Sequence, residues 1–343
     1  MRIEIPRLEA ISEDVWPNDA NLRHSSCRAL SAIDLPIARH VLSSGAAVQL
    51  IPRQVFESSR AGVGDADTLR QLTRSPHAGV DLASLVKPEL VRFPGRDGLP
   101  LTGWLYRPAG ASGPGPLVLS FHGGPEGQER PSFRSDYQAL VSQGISVLAP
   151  NVRGSSGFGK RFVNLDNGAL RKGAVDDIAA SVDYVVKAGL ADPKRIGITG
   201  GSYGGYMTMA GLAAFPDLLA AGANLFGIVN FATFFRNTEP WMAAISRTEY
   251  GDPETEAAML RDLSPIHRLD RVKAPTLVLH GANDTNCPVI EAEQAVDHLK
   301  ARGVPVKYVL FPDEGHGWRK IPNRVRSTVE VTRWFVRYLK EGA

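Results

Sequence analysis

In the stretch Gly200-Gly201-Ser202-Tyr203-Gly204, a single hydroxyl stands with glycine two positions away on either side. The apolar run 195–199 precedes it and a helical pattern follows. This context predicts a strand that bends sharply into a helix, with Ser202 at the bend. Side chains at 200 and 204 would obstruct so tight a turn. The helix N-terminus beneath the serine favours developing negative charge. Such a bend presents a nucleophile, whereas a glycine-rich turn with an incidental serine would look the same until partners are found.

A serine hydroxyl is a weak nucleophile and needs a base, itself oriented by a carboxylate. With the nucleophile on a strand-to-helix bend, the chain order is serine, acid, histidine, each on a loop after a strand. Four histidines follow Ser202. His280 ends an apolar run, His298 lies within a helical pattern, and His267 precedes the strand that should carry the acid. His316, in Phe-Pro-Asp-Glu-Gly-His-Gly-Trp, follows the run 306–311 and is the base by position. Asp284, after the run 276–281, is the acid by the same rule; Asp313 and Glu314 are rivals beside the histidine, and an Asx turn is the structural alternative for Asp284. Oxyanion donors are expected from the backbone N–H of Tyr203 and from Gly123 or Gly124 in Phe-His-Gly-Gly-Pro-Glu-Gly, with Gly124 favoured.

Other chemistries fare worse. Residues 154–161, Gly-Ser-Ser-Gly-Phe-Gly-Lys-Arg, approach a phosphate-cradling loop, but Arg161 stands where a magnesium-binding Ser or Thr belongs. A Gly-x-Gly-x-x-Gly opening a βαβ unit is missing, which removes a dinucleotide reading. Cys27 and Cys287, far apart, suggest neither a disulfide framework nor a zinc site. No metal and no cofactor is expected.

The elements that must position these residues are legible from about residue 89 onward. Residues 90–108 read as two strands around an Asp97-Gly98 turn. Runs 116–121, 145–150, 195–199, 276–281 and 306–311 have buried-strand length. Helical patterns cover the segment around 175–186, 290–302 and 324–339, and the first ends at Gly189. This alternation predicts an α/β protein with a mostly parallel sheet and helices on both faces. The domain division follows: a catalytic domain over 86–343, with an aromatic-rich insertion at 230–266, and an N-terminal segment, 1–85, that serves as a cap, an oligomer arm or the remnant of a larger domain.

Across 343 residues, hydrophobic residues make up 43% and charged ones 22%, as in an ordinary soluble globular protein. Lys plus Arg (39) barely exceeds Asp plus Glu (36) and forms no basic block, which argues against a nucleic-acid partner. The uncharged stretch 218–235 is interrupted by Asn224, Asn230 and two glycines. It reads as a buried strand leading into a loop rather than a membrane span. The first residues have no apolar core of signal-peptide length, so the expected location is cytoplasmic.

These segments together resemble the catalytic domain of the prolyl oligopeptidase family of serine peptidases, closest to its acylaminoacyl-peptidase branch. The resemblance runs from about Pro88 to Leu339. It rests on residues 88–108, 121–127, 151–162, 197–207, 264–288 and 311–318, with Gly-Gly-Ser-Tyr-Gly-Gly more specific than the general hydrolase pattern. It implies an α/β-hydrolase fold, Ser202, Asp284 and His316 as catalytic triad, and Asn286 near the substrate carbonyl. It also places the aromatic insertion at the acyl-side pocket, with Val229, Phe234, Phe235 and Trp241 as walls and Cys287 opposite. Family peptidases carry a seven-bladed propeller; at roughly 40–50 residues per blade, the N-terminal segment holds at most two. The prolyl and dipeptidyl branches place a tyrosine where this chain has His122, which joins the substrate-pocket candidates and counts against strict post-proline cleavage.

The expected function is a metal-free serine hydrolase cleaving esters or amides of small molecules or short peptides, as a monomer or homo-oligomer. The short N-terminal segment leans this expectation towards esters, with an oligopeptidase or acylaminoacyl-peptidase activity as the alternative. A non-catalytic scaffold on the same fold is the reading from another class.

Overall fold

The computed structural model describes residues 80–342, together with a short antiparallel pair, Phe56–Ser58 with Leu69–Gln71. The expectations for residues 1–79, that pair apart, lie outside the described residues.

Eight strands form the main sheet: β1 (Glu89–Pro94), β2 (Pro100–Tyr106), β3 (Gly115–Phe121), β4 (Ser146–Asn151), β5 (Ala191–Gly201), β6 (Ala221–Leu225), β7 (Thr276–Gly281) and β8 (Val306–Phe311). Their spatial order is 8-7-6-5-3-4-2-1. β1 and β2 form the hairpin around Asp97-Gly98, and β2 pairs antiparallel with β4 as well; all other pairings are parallel. Every residue of β4 and of β7 is buried, which is why these strands read as continuous apolar runs instead of alternating.

Helices cover both faces. On one lie α1 (Ser135–Ser142) and α8 (Ile321–Leu339), whose Tyr137, Leu140, Trp334 and Phe335 pack on Val118, Val147, Ala223 and Leu279. On the other lie α2 (Arg171–Lys187), α3 (Tyr203–Ala214) and α7 (Ile290–Ala301), packed on the alternate strand residues Leu117, Leu119, Ile196 and Ile198. The insertion between β6 and β7 forms three short helices, α4 (Phe231–Asn237), α5 (Pro240–Tyr250) and α6 (Ala257–Leu263). The uncharged stretch 218–235 thus divides into β6 and the start of α4. Among the described residues no helix is long and apolar enough to cross a membrane.

α1, like α4, α5 and α6 of the insertion, is a helix that sequence reasoning does not assign. Its N-cap is Arg134, which supplies no side-chain cap, so the usual start signal is missing.

Candidate active site

Four strand ends meet at one edge of the sheet. Ser202 follows β5, the His122–Gly127 loop follows β3, Asp284 follows β7 and His316 follows β8. Parallel strands put all their carboxyl ends on the same side, so residues distant in sequence come together there.

Ser202 sits at φ 58°, ψ −121°, a backbone conformation that non-glycine residues rarely adopt. Its N–H donates to the Leu225 carbonyl (3.0 Å), and its own carbonyl accepts from Gly205 and Tyr206, which starts α3 directly beneath it. Glycine at 204 is a steric requirement, because a Cβ there would collide with the Phe121 carbonyl oxygen. The strand-to-helix bend predicted from the sequence is therefore a strained one, held by packing of β3 against α3.

His316 Nε2 lies 3.0 Å from Ser202 Oγ, and His316 Nδ1 lies 2.8 Å from Asp284 Oδ2. A carboxylate only accepts, so Nδ1 carries the proton and Nε2 is left to accept from the serine hydroxyl. The Asp284 side chain is buried; its other oxygen, Oδ1, accepts from the backbone N–H groups of Asn286 and Cys287, both at 2.9 Å. Sequence reasoning missed a further support. His280, fully buried at the end of β7, donates from Nε2 to the Cys287 carbonyl (2.7 Å) and lies 3.5 Å from Asp284 Oδ2. Burial lowers its basicity, so it stays neutral as a brace for the Asp284 loop. The rival acids face elsewhere: Glu314 accepts from the N–H groups of Arg319 and Lys320 at the start of α8, and Asp313 pairs with Lys320.

The imidazole is also held from below. Phe226, itself at φ 41°, meets the His316 ring edge-on at 5.0 Å and Trp318 at 5.3 Å. Trp318 in turn stacks on Phe311 and donates to Ser327.

Gly124 has φ 136°, and a Cβ on it would strike the Glu126 backbone, so the loop after β3 can take its path only with glycine. Gly123 packs against the serine, and a Cβ there would lie 3.4 Å from Ser202 Cβ. His122 braces this loop: its ring nitrogens engage the Gly123 carbonyl (2.8 Å) and Ser155 Oγ (2.7 Å). The segment that resembled a phosphate loop thus supports the loop after β3, with Ser156 N–H donating to the Gly127 carbonyl as well. Tyr203 is anchored through its side chain. Its hydroxyl donates to Asp166 (3.0 Å), and Asp166 pairs with the fully buried Arg171, which also pairs with Glu249.

A cavity of about 560 Å³ opens beside Ser202 and His316. Of the predicted wall residues it receives Phe234, Asn286 and Cys287, whose Sγ is 4.0 Å from Ser202 Oγ. His122 faces a second, larger cavity. Val229, Phe235 and Trp241 line neither, and each has a physical reason. Val229 is fully buried, its N–H bound by Glu291. Phe234 and Phe235 are adjacent on α4, so only one can face the cavity. Trp241, 55% exposed, stands at the N-terminal end of α5, before the stripe Met242, Ile245, Ser246, Thr248 and Glu249 that does. That stripe, with Ile228 and Tyr250, was legible only as a helical period within a segment read as an insertion.

The sheet order and the serine–histidine–aspartate geometry at its carboxyl edge define an α/β-hydrolase. Residues 131–342 match the model of the prolyl oligopeptidase family, and the chain belongs to that family. It is 39% identical over 231 residues to dipeptidyl aminopeptidase BIII of Pseudoxanthomonas mexicana, covering 66% of this chain and 33% of that one. It is 32% identical over 286 residues to the uncharacterized peptidase YuxL of Bacillus subtilis, covering 79% and 42%. Among solved structures, an acylaminoacyl peptidase of Pyrococcus horikoshii superposes with a TM-score of 0.76 at 28% identity, covering 84% of this chain and 46% of that one. The chain thus spans less than half the length of each of these relatives.

Proposed function

We propose that this chain is a serine peptidase that hydrolyses amide bonds of short peptides through an acyl-enzyme on Ser202. The observation that carries this reading is His316, with one nitrogen 3.0 Å from the serine hydroxyl and the other 2.8 Å from a buried, doubly hydrogen-bonded carboxylate. His316 takes the Ser202 proton as Oγ attacks the substrate carbonyl, and Asp284 stabilises the imidazolium. The N–H groups of Tyr203 and Gly124 receive the oxyanion, the first of them at the N-terminus of α3. His316 then hands its proton to the leaving amine, and water, deprotonated by the same nitrogen, releases the acid.

The acyl group enters the cavity of Phe234, Met242, Tyr250 and Cys287, with Asn286 at its edge. The lean towards esters rests only on the shortness of the N-terminal segment. The relatives are named as peptidases, and an acylaminoacyl peptidase shares the fold, so the amide reading takes precedence. Residues 1–85 form the separate N-terminal part of the domain division and 86–343 the catalytic domain; the protein works without metal or cofactor.

Matched p-nitrophenyl esters and p-nitroanilides, with free and acylated aminoacyl groups, test this directly. The expected result is turnover of anilides and short peptides that Ser202→Ala abolishes. Turnover of esters with none of any amide or peptide would overturn it.

A further inference from the structure

Ser202 stands on a ridge between two cavities. The smaller, of about 560 Å³, is the acyl cavity assigned above. The larger, of about 820 Å³, lies between the loop that enters α1 and the first turns of α8. Among the residues that line them, the two share only Ser202 and Gly127. The larger cavity is walled by the aromatic side chains of Phe133, Tyr137, Phe226 and Trp318. Its polar lining includes Arg130, Arg134, Asp136 and Arg324 as well as Glu129. Glu129 is 5% exposed, its N–H and carbonyl are both held by Asn151, and its carboxylate accepts from the Tyr137 hydroxyl and from Arg134 Nη1 (3.4 Å).

Amide hydrolysis requires two groups to be housed at once on the carbon that Oγ attacks, the acyl part and the leaving amine. His316 must reach the leaving nitrogen to protonate it. Its ring borders the smaller cavity and touches Phe226, which walls the larger one, so Nε2 stands where the two halves of a substrate part. A leaving group of one or two heavy atoms would leave the larger space to water. An aromatic side chain would meet ring edges and faces on several sides, with Glu129 as an acceptor for a phenol or indole donor.

We propose that the larger cavity is the leaving-group site and that it selects substrates whose leaving amine carries a large aromatic side chain. This rests on the acyl-enzyme reading. It also makes the cavity the acceptor site in the reverse direction. An added amine attacks the acyl carbon, the bond from carbon to Ser202 Oγ breaks, and the amine proton passes through His316 to Oγ, leaving a new amide.

The test is partitioning of an acyl-enzyme formed from an acylaminoacyl p-nitrophenyl ester, with tyrosinamide or glycinamide added at equal concentration. The ratio of peptide to free acid is read for each amine. Tyrosinamide is expected to capture at least tenfold more acyl group than glycinamide. Thr328→Trp, which fills the cavity from α8, and Phe133→Ala, which removes a wall, are each expected to bring that preference below threefold. Equal capture of the two amines by the native chain, capture of neither, or a preference unchanged in the variants would overturn the assignment. If Thr328→Trp fails to fold, Phe133→Ala decides. Absence of any serine-dependent release of p-nitrophenol would instead overturn the acyl-enzyme itself, and this site with it.

Discussion

Ser202 combines two properties that oppose each other. Its backbone lies at positive φ, which costs a non-glycine residue on the order of 1–3 kcal/mol. Its hydroxyl, 3.0 Å from His316 Nε2, is placed to attack a carbonyl. Replacing it with glycine removes the hydroxyl and relieves the strain, whereas alanine removes only the hydroxyl. Ser202→Gly is therefore expected to unfold at higher denaturant concentration than Ser202→Ala, by roughly 1 kcal/mol, with both inactive. Chemical denaturation of the pair checks this, and equal midpoints would show that the bend stores no strain. At this scale the sequence was most informative. Ser202, Asp284 and His316 could be chosen because loop position and chain order leave few options. His280 could not, because a histidine ending a buried strand carries no mark of what it will face.

Between elements, Glu291 of α7 governs how the turn after β6 enters α4. It is fully buried, and among the described residues no basic side chain pairs with it. Its carboxylate accepts from Val229 N–H (2.9 Å), Asn230 N–H (2.8 Å) and Thr233 Oγ1 (2.5 Å). Burial raises its pKa from 4.5 to about 7, against the effect of those hydrogen bonds. The folded protein thus holds this proton more tightly than the unfolded chain. Its contribution to stability is complete below pH 4.5 and is lost as pH rises through 7, by about 3 kcal/mol in total. Glutamine can accept both backbone donors on its carbonyl and donate to Thr233. Glu291→Gln should match the native chain near pH 5 and be the more stable of the two at pH 8, as thermal melts at the two values would show. A native advantage at pH 8 would contradict it. The turn residues Ile228 and Val229 explain why the cavity wall was only partly legible. Adjacent apolar residues look alike in sequence, and the bonds to Glu291 fix which of them turns inward.

Across the molecule, the insertion is tied to the sheet edge that carries Ser202 through one buried cation. Arg171, at the start of α2, pairs with Asp166 at 3.1 Å and Glu249 of α5 at 2.7 Å, and stacks on Tyr203 and Tyr250. Removing it would leave two carboxylates, Asp166 fully buried and Glu249 mostly so, without their counter-charge. Arg171→Ala is expected to destabilise the fold by about 3–5 kcal/mol, and Arg171→Lys, which cannot fork between two acids, to recover little of that. Equilibrium unfolding of the two variants measures both. The parallel sheet was readable at this scale because its strands are short apolar runs separated by helical periods. The Arg171 network was not, since its charged members, Asp166, Arg171 and Glu249, lie apart in sequence and each reads alone as a surface charge. The central claim is that this architecture arms one hydroxyl. Intact-mass analysis after reaction with a fluorophosphonate, followed by peptide mapping, tests it most directly. The account predicts one phosphonyl group per chain, on Ser202, and none on Ser202→Ala. A folded native chain left unlabelled, or labelled at another residue, would contradict it.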